Sequence, residues 1–131
     1  MEIAIAQRQT AMDAWNTLLN GGTLKFYSGT RPAAFTLSGN TLLATCPLSA
    51  TACGATNASG VATFNAITTD SAPAASGAVT FAFACKSDGT PVYNLSVGLS
   101  AADIIVDSTT VVGTTGTVAV SLATVTFPLG T

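Results

Sequence analysis

The stretch Asn20-Gly21-Gly22-Thr23-Leu24-Lys25 sets a glycine pair just ahead of a threonine and a lysine, the residue types with which a loop cradles phosphate. Such a loop needs its glycines after a strand and before a helix, so that backbone amides and the positive end of the helix dipole face the anion. Here the order is reversed. Residues 4–19 hold no Gly or Pro and read as helix, whereas Thr23–Ser28 alternates like a strand. A helix C-terminus presents its negative end and disfavours anions. Gly21 and Gly22 are therefore read as a structural hinge that stops the helix, and Ser28–Pro32 as the turn that ends the first strand.

Other chemistry is sparse. The sequence contains no histidine, so no Ser-His-Asp or Cys-His nucleophile can be assembled. The six carboxylates are Glu2, Asp13, Asp70, Asp88, Asp103 and Asp107. A glycosidase pair must face across a cleft, but Asp103 and Asp107 flank the apolar run Ile-Ile-Val, and strand alternation puts both on one side, at a turn or a solvent face. Asp70 and Asp88 occupy turn-like contexts that Asp favours for structural reasons. No Asp-x-Asp-x-Asp-Gly calcium spacing occurs. Cys46, Cys53 and Cys85 would need a fourth ligand to hold zinc. Cys46 and Cys53 bracket Pro-Leu-Ser-Ala-Thr-Ala, across which a disulfide could close. The odd count, with a start that lacks the basic and apolar segments of an export signal, reads as three reduced thiols in a cytoplasmically made chain. The sequons at Asn57 and Asn94 are then chance matches. No catalytic residue, cofactor or metal site is assigned.

The elements that would position any site come next. Ile5, Met12, Trp15 and Leu19 recur at helical spacing, and Arg8 falls on the same face. A buried, unpaired cation is costly. The packed helix is accordingly expected over 9–20, with residues 1–8 as an arm. Beyond the glycines the chain reads β. Leu24 and Phe26 alternate with Lys25 and Tyr27, and Ala62, Phe64 and Ala66 with Val61, Thr63 and Asn65. Two β-rich runs flank a Ser87-Asp88-Gly89 turn as a hairpin. About seven or eight short strands separated by Gly, Ser, Asp and Pro predict a mainly β fold. The expectation is an antiparallel β-sandwich or jelly-roll-like body, or a barrel-like sheet, with one N-terminal α-helix. We read one domain: arm 1–8, helix 9–20, β body 23–128 and tail 129–131, with 68–77 as a surface loop.

Charged residues make up 8% of the chain, far below the roughly 25% of ordinary soluble proteins. Ser, Thr, Ala and Gly supply 68 of the 131 residues, so the surface must be built largely from them. A net charge of −2 gives little self-repulsion, which favours association. The four cations, Arg8, Lys25, Arg31 and Lys86, are too few to neutralise a nucleic-acid backbone, and no run of about 18 apolar residues suggests a membrane span.

The wording itself points further. Leu19–Ala33 (LNGGTLKFYSGTRPA), GNTLLAT, GVATFNAITTDSAPAASGAVTFAFACKSDGT and SVGLSAADIIVDSTTVVGTTGTVAVSLATVTFP together resemble a family of small virion structural proteins of tailed bacteriophages. The resemblance covers most of the chain from Leu19 to Pro128, and the helix–Gly-Gly–TLKFYSG–RPA junction is its most specific part. Cys46, Cys53 and Cys85 are not part of that pattern. The resemblance implies a non-enzymatic protein that decorates or cements the capsid surface and is made in the host bacterial cytoplasm. Its partners would be the major capsid protein and copies of itself as a dimer or trimer, with no nucleic acid, membrane or cofactor. Chain ends suit such contacts, and Met1, Ile3, Ile5, Arg8, Phe127 and Leu129 are the interface candidates. The alternative is a tail, collar or receptor-binding module, with 68–77 and the 87–91 hairpin as its tips.

Overall fold

The computed structural model describes residues 1–126; Phe127, Leu129 and the expected tail 129–131 lie outside the described residues. One helix, α1 (Ile5–Thr17), precedes nine strands. In chain order these are β1 (Thr23–Tyr27), β2 (Leu42–Pro47), β3 (Val61–Thr63), β4 (Gly77–Ala78), β5 (Phe81–Cys85), β6 (Pro91–Gly98), β7 (Ile104–Val106), β8 (Thr110–Val111) and β9 (Val120–Thr126). The mainly β body with an N-terminal helix is as the sequence predicts.

The helix differs from expectation at its start. Gln7 and Arg8 donate their amides to the Ala4 carbonyl, both at 3.0 Å. Ile5 and Arg8 are thus helical, and only residues 1–4 precede the helix. The buried side of α1 is Met12 and Asn16, with Arg8 and Gln9 half-buried, while Ile5 and Trp15 are exposed by about half. Arg8 is only half-buried at this position and lies within the helix rather than before it. The helix is fastened chiefly by polar ties to the segment after β2 and to β6. Gln9 Nε2 donates to Thr56 O at 2.9 Å, and Thr56 donates its amide and hydroxyl to Asp13 Oδ1 at 2.8 and 2.6 Å. Tyr93 OH donates to Asn16 Oδ1 at 2.8 Å.

The glycine pair joins helix to sheet. Gly21 takes φ +68° in open space, the left-handed geometry that glycine adopts without steric cost. Gly22 is constrained differently: a Cβ there would overlap the Cys85 carbonyl oxygen and crowd that of Leu19. Its own carbonyl accepts from Leu48 N at 2.9 Å, while Gly21 N donates to Ser49 O at 3.0 Å. The junction is locked against the ends of β2 and β5.

Seven strands form one sheet in the order β2-β1-β5-β6-β7-β9-β3, and β4 and β8 make a small second sheet. Bridges Leu48↔Ile67 and Cys53↔Phe64, with Thr68 N donating to Pro47 O at 2.9 Å, connect the chain beyond β3 to β2 and its continuation. The two edge strands are thereby joined and the sheet curls toward closure. Its inner face carries Leu24, Phe26, Ala82, Ala84, Leu95, Ile104, Ala123 and Val125, joined by Met12 and Leu19. The outer face of β1 and β5 carries Tyr27, Phe81 and Phe83, with ring centroids 5.3–5.4 Å apart. Small alanines inside and aromatic rings outside explain why all of β5 is buried.

The expected all-antiparallel arrangement fails at one place. β6 and β7 pair in parallel, Val97↔Ile104 and Gly98↔Ile105, although parallel neighbours normally need a crossover of a dozen or more residues. Here the chain doubles back through residues 99–103. Ser96 donates its amide and hydroxyl to Asp103 Oδ2 at 3.0 and 3.1 Å, and Asp103 N donates to Ser96 Oγ at 2.9 Å. Ala101 accepts φ +52° to complete the loop. A reciprocal side-chain clasp replaces the missing crossover.

Two stability changes follow. Gly22→Ala is expected to lose about 3 kcal/mol, the upper end for overpacking, whereas Gly21→Ala loses about 1 kcal/mol from its positive φ. Urea midpoints read the difference, and equal losses would contradict the locked junction. Asp103→Ala is expected to cost about 2 kcal/mol, since it strands a backbone amide and removes a charge-assisted acceptor, while Ser96→Ala costs about 1 kcal/mol. A silent Asp103→Ala in the same titration would rule out the clasp.

Candidate interaction surface

The tight β6–β7 return has a geometric consequence. β7 holds three residues, so β6 before Val97 and β9 after Ala123 have no strand between them. A groove of about 370 Å³ opens there, lined by Met12, Trp15, Phe35, Val92, Leu95 and Val125, with Tyr93, Asn94, Asp103 and Thr126 also at its walls. Its volume lies toward the low end of the range for ligand pockets. The β6 edge beside it is capped by side chains. Arg31 Nη2 donates to Asn94 O at 2.7 Å, and Ser96 N is taken by Asp103.

One rim of the groove is the loop between β1 and β2. Arg31 Nε donates to Asn94 Oδ1 at 2.9 Å, and Asn94 Nδ2 donates to Pro32 O and Ala34 O, both at 2.9 Å. Asn40 Nδ2 ties the loop base to Ser28 O and Thr30 O at 2.9 and 3.0 Å. These bonds place Phe35 edge-on to Phe83, ring centroids 5.4 Å apart. The other rim is α1, where Trp15 is 46% exposed, as against 43% for Phe35. Leu18, one turn beyond Trp15, and Leu37, two residues beyond Phe35, are likewise exposed.

The interface candidates divide. Met1 and Ile3 precede the helix and are exposed. Ile5 starts α1 and faces solvent by half. Arg8, within α1, has its Nε enclosed without a hydrogen-bond partner among the described residues. Phe127 and Leu129 lie outside the described residues. Gly21 and Gly22 form the junction described above. Sequence reasoning missed Trp15, Phe35, Arg31 and Asn94 as surface-building residues. Asn94 was visible only as a sequon, and nothing in the sequence pairs it with Arg31.

The five aspartates are taken up by the fold. Asp13 holds Thr56, and Asp70 accepts from Thr45 N and Ala72 N, both at 2.9 Å. Asp107 accepts from Ser121 Oγ at 2.6 Å. Asp88 accepts from Thr90 N at 2.9 Å, and that amide, foremost, holds its carboxyl below the ordinary value. The 68–77 segment does not project as a tip: Ala74 N donates to Leu43 O at 2.8 Å and Pro73 is fully buried. The Ser87-Asp88-Gly89 turn does lie at the surface. A second, smaller cleft of about 130 Å³ is lined by polar side chains of α1 together with Cys53.

All three cysteines are free. Burial pushes the Cys46 and Cys53 thiols up to about 11, with the Asp13 charge adding to the second. Burial raises Cys85 too, against a smaller opposing pull from Lys25. Tyr93 is pushed up to about 12, by burial first and then by Cys53. Among the described residues no helix is long and apolar enough to cross a membrane. Compared with protein-family models, curated proteins and solved structures, the chain matches none of the three.

Because these acids are raised in the folded state, the native protein keeps protons that the unfolded chain releases. Stability is full below about pH 9, the ordinary thiol value, and falls as pH rises toward about 11. Thermal midpoints across pH 7–10.5 are expected to fall only above pH 9. At pH 8 the native thiols are expected to react with iodoacetamide far more slowly than those of the urea-unfolded chain. A flat midpoint, or equal alkylation rates, would contradict this.

Proposed function

We propose that this chain is a non-enzymatic structural protein of a tailed-phage virion, which decorates or cements the capsid surface by bridging major capsid protein subunits. The observation that carries the reading is the groove rimmed by half-exposed Trp15 of α1 and Phe35 of the β1–β2 loop, with Leu18 just past α1 and Leu37 on the same loop exposed as well. Exposed aromatic and aliphatic side chains beside one groove are what a protein contact needs at its centre. The family resemblance in Leu19–Pro128 supports the same conclusion.

Two further properties support it. The low charge leaves a Ser/Thr-rich surface that tolerates close neighbours. The carboxylates Asp13, Asp70, Asp88, Asp103 and Asp107 serve backbone amides and hydroxyls. In this reading the exposed residues Met1–Ala4 reach a neighbouring subunit, and copies of the chain meet as a dimer or trimer at capsid symmetry axes. Many weak contacts repeated over a closed lattice then sum to firm attachment.

The test uses particles of the phage that carries the sequence. Leu18→Ser with Leu37→Ser removes exposed apolar surface while leaving the core intact. We expect the double variant to fold with an unchanged thermal midpoint and to be retained on particles at least about tenfold less, the effect of losing about 1.4 kcal/mol of binding. Wild-type copy number, read from stained gels, is expected in the hundreds per particle. Undiminished retention would reject the flank as the contact, and a few dozen copies or fewer would favour a tail or collar part.

A further inference from the structure

We propose that the polar cleft between α1 and the segment after β2 is a binding site for a neutral, hydroxyl-bearing ligand, the edge of a sugar ring, with Asn16 as the donor that receives it. The cleft measures about 130 Å³ and is lined by Asp13, Asn16, Thr17 and Asn20 on the helix side, facing Thr51 and residues 53–55. Its two ends are tied. Asp13 Oδ1 holds Thr56, and Asn20 Oδ1 accepts from Ala52 N at 3.0 Å. Asn16 sits between these ties and is 4% exposed. Its Oδ1 accepts the Tyr93 hydroxyl at 2.8 Å, and Tyr93 borders the apolar groove, not the cleft. The NH2 end of the same planar amide is the branch turned away from Tyr93, and its Nδ2 has no hydrogen-bond partner among the described residues. A buried donor left unmet is costly, and buried polar groups of native proteins are as a rule satisfied. An acceptor entering the cleft supplies what the chain does not.

The lining decides the class of ligand. Asp13 is the one carboxylate at the cleft among the described residues, and it repels an anion. A hard cation needs several oxygen ligands, whereas Asn16 turns an N–H toward it, and the described residues hold no group of three or more acids and thiols. Cys53 adds no thiolate, since burial pushes its thiol up to about 11. Polar walls disfavour an apolar group, which would leave them unpaired. A hydroxyl suits them, because it accepts and donates at once. It accepts from Asn16 and donates to the carboxylate of Asp13, its neighbour at helical spacing. Asn20, whose Oδ1 is already taken by Ala52, offers its NH2 to a second, adjacent hydroxyl. The volume lies below the roughly 300–1,000 Å³ of ordinary ligand pockets, so the cleft takes one edge of a ring and not a whole ligand. This site is separate from the groove and does not depend on the virion reading.

The test titrates the isotopically labelled full-length protein with D-glucose, D-galactose, D-mannose and N-acetyl-D-glucosamine, followed by amide NMR. At least one sugar is expected to shift the Asn16 and Asn20 side-chain NH2 signals and the backbone amides of 51–56 saturably, with a Kd of roughly millimolar order. Its ring protons are expected to show a nuclear Overhauser contact to the Asn16 NH2. Sodium acetate, calcium chloride and 1-propanol are expected to give no saturable shift. Asn16→Asp keeps the oxygen that accepts Tyr93 and removes the donor, and is expected to weaken binding about tenfold. Should that variant fail to fold, Ala55→Leu, at an exposed position on the cleft wall, is expected to weaken binding similarly by filling the cleft. No saturable shift with any of the four sugars, or Overhauser contacts from the Asn16 NH2 to water alone, would overturn the proposal. Saturation by acetate or calcium, or wild-type affinity in either folded variant, would overturn it as well.

Discussion

The Ser96–Asp103 clasp is the interaction on which the layout of the rest depends. A strand that must run parallel to its predecessor after five connecting residues has almost no chain with which to turn. One carboxylate oxygen accepting both the amide and the hydroxyl of Ser96, while Ser96 Oγ accepts the amide of Asp103, holds the return closed. The cost of that economy is a very short β7. β9 then meets β6 only through those few residues, and the two strands splay apart beyond them. The groove, its aromatic rims and the side-chain capping of the β6 edge all follow from this one compressed connection.

The clasp is one instance of a wider constraint. A curled sheet of strands three to eight residues long leaves many backbone amides without a ladder partner, and buried amides must be satisfied. The chain does this with its few acids and amides. Asp70 takes the amides of Thr45 and Ala72, Asp13 ties a buried threonine to the helix, and Asn94 holds two loop carbonyls while receiving Arg31. A low-charge protein that commits its aspartates and Arg31 to its own amides, carbonyls and hydroxyls gains a rigid loop architecture. The same commitment leaves apolar and hydroxyl-bearing side chains to meet whatever lies outside.

Much of the fold was legible because it rests on local pattern. Alternation in Leu24–Tyr27 and Val61–Phe64, the Ser87-Asp88-Gly89 turn and the glycine stop after the helix each depend on a few neighbouring residues, whereas Ala66, expected on the inward side with Ala62 and Phe64, is exposed. The inner and outer placement of Leu24, Phe26, Ala62 and Phe64 followed directly. What could not be read depends on partners far apart in the chain. The parallel β6–β7 pair requires Ser96 and Asp103 to clasp rather than face water, and no periodicity encodes that. The helix starts earlier than the charge of Arg8 suggests, because that residue is only half-buried and α1 accepts it within its first turns. Of the candidate surface, only the chain ends were anticipated. Two of its residues, Trp15 on α1 and Phe35 on the β1–β2 loop, come from distant segments, and the loop is held in place by the Arg31–Asn94 tie across sixty-three positions.

The hinge and the surface are mechanically linked. Gly22 sits so close to the end of β5 that the helix cannot swing at its C-terminal end without breaking that contact. At the same end, Asn20 Oδ1 accepts Ala52 N at 3.0 Å, and further along Asn16 accepts the Tyr93 hydroxyl. The helix is thus pinned along its length, which fixes the angle at which Trp15 and Leu18 face outward. A contact surface gains affinity when its anchors are held before binding, because less side-chain and backbone freedom is lost on association. A small apolar flank of fixed orientation, repeated on every copy, is well suited to a lattice in which each single contact is weak. Rigidity at Gly22 and exposure at Trp15 are in this sense one property: the first presents the second at a set angle.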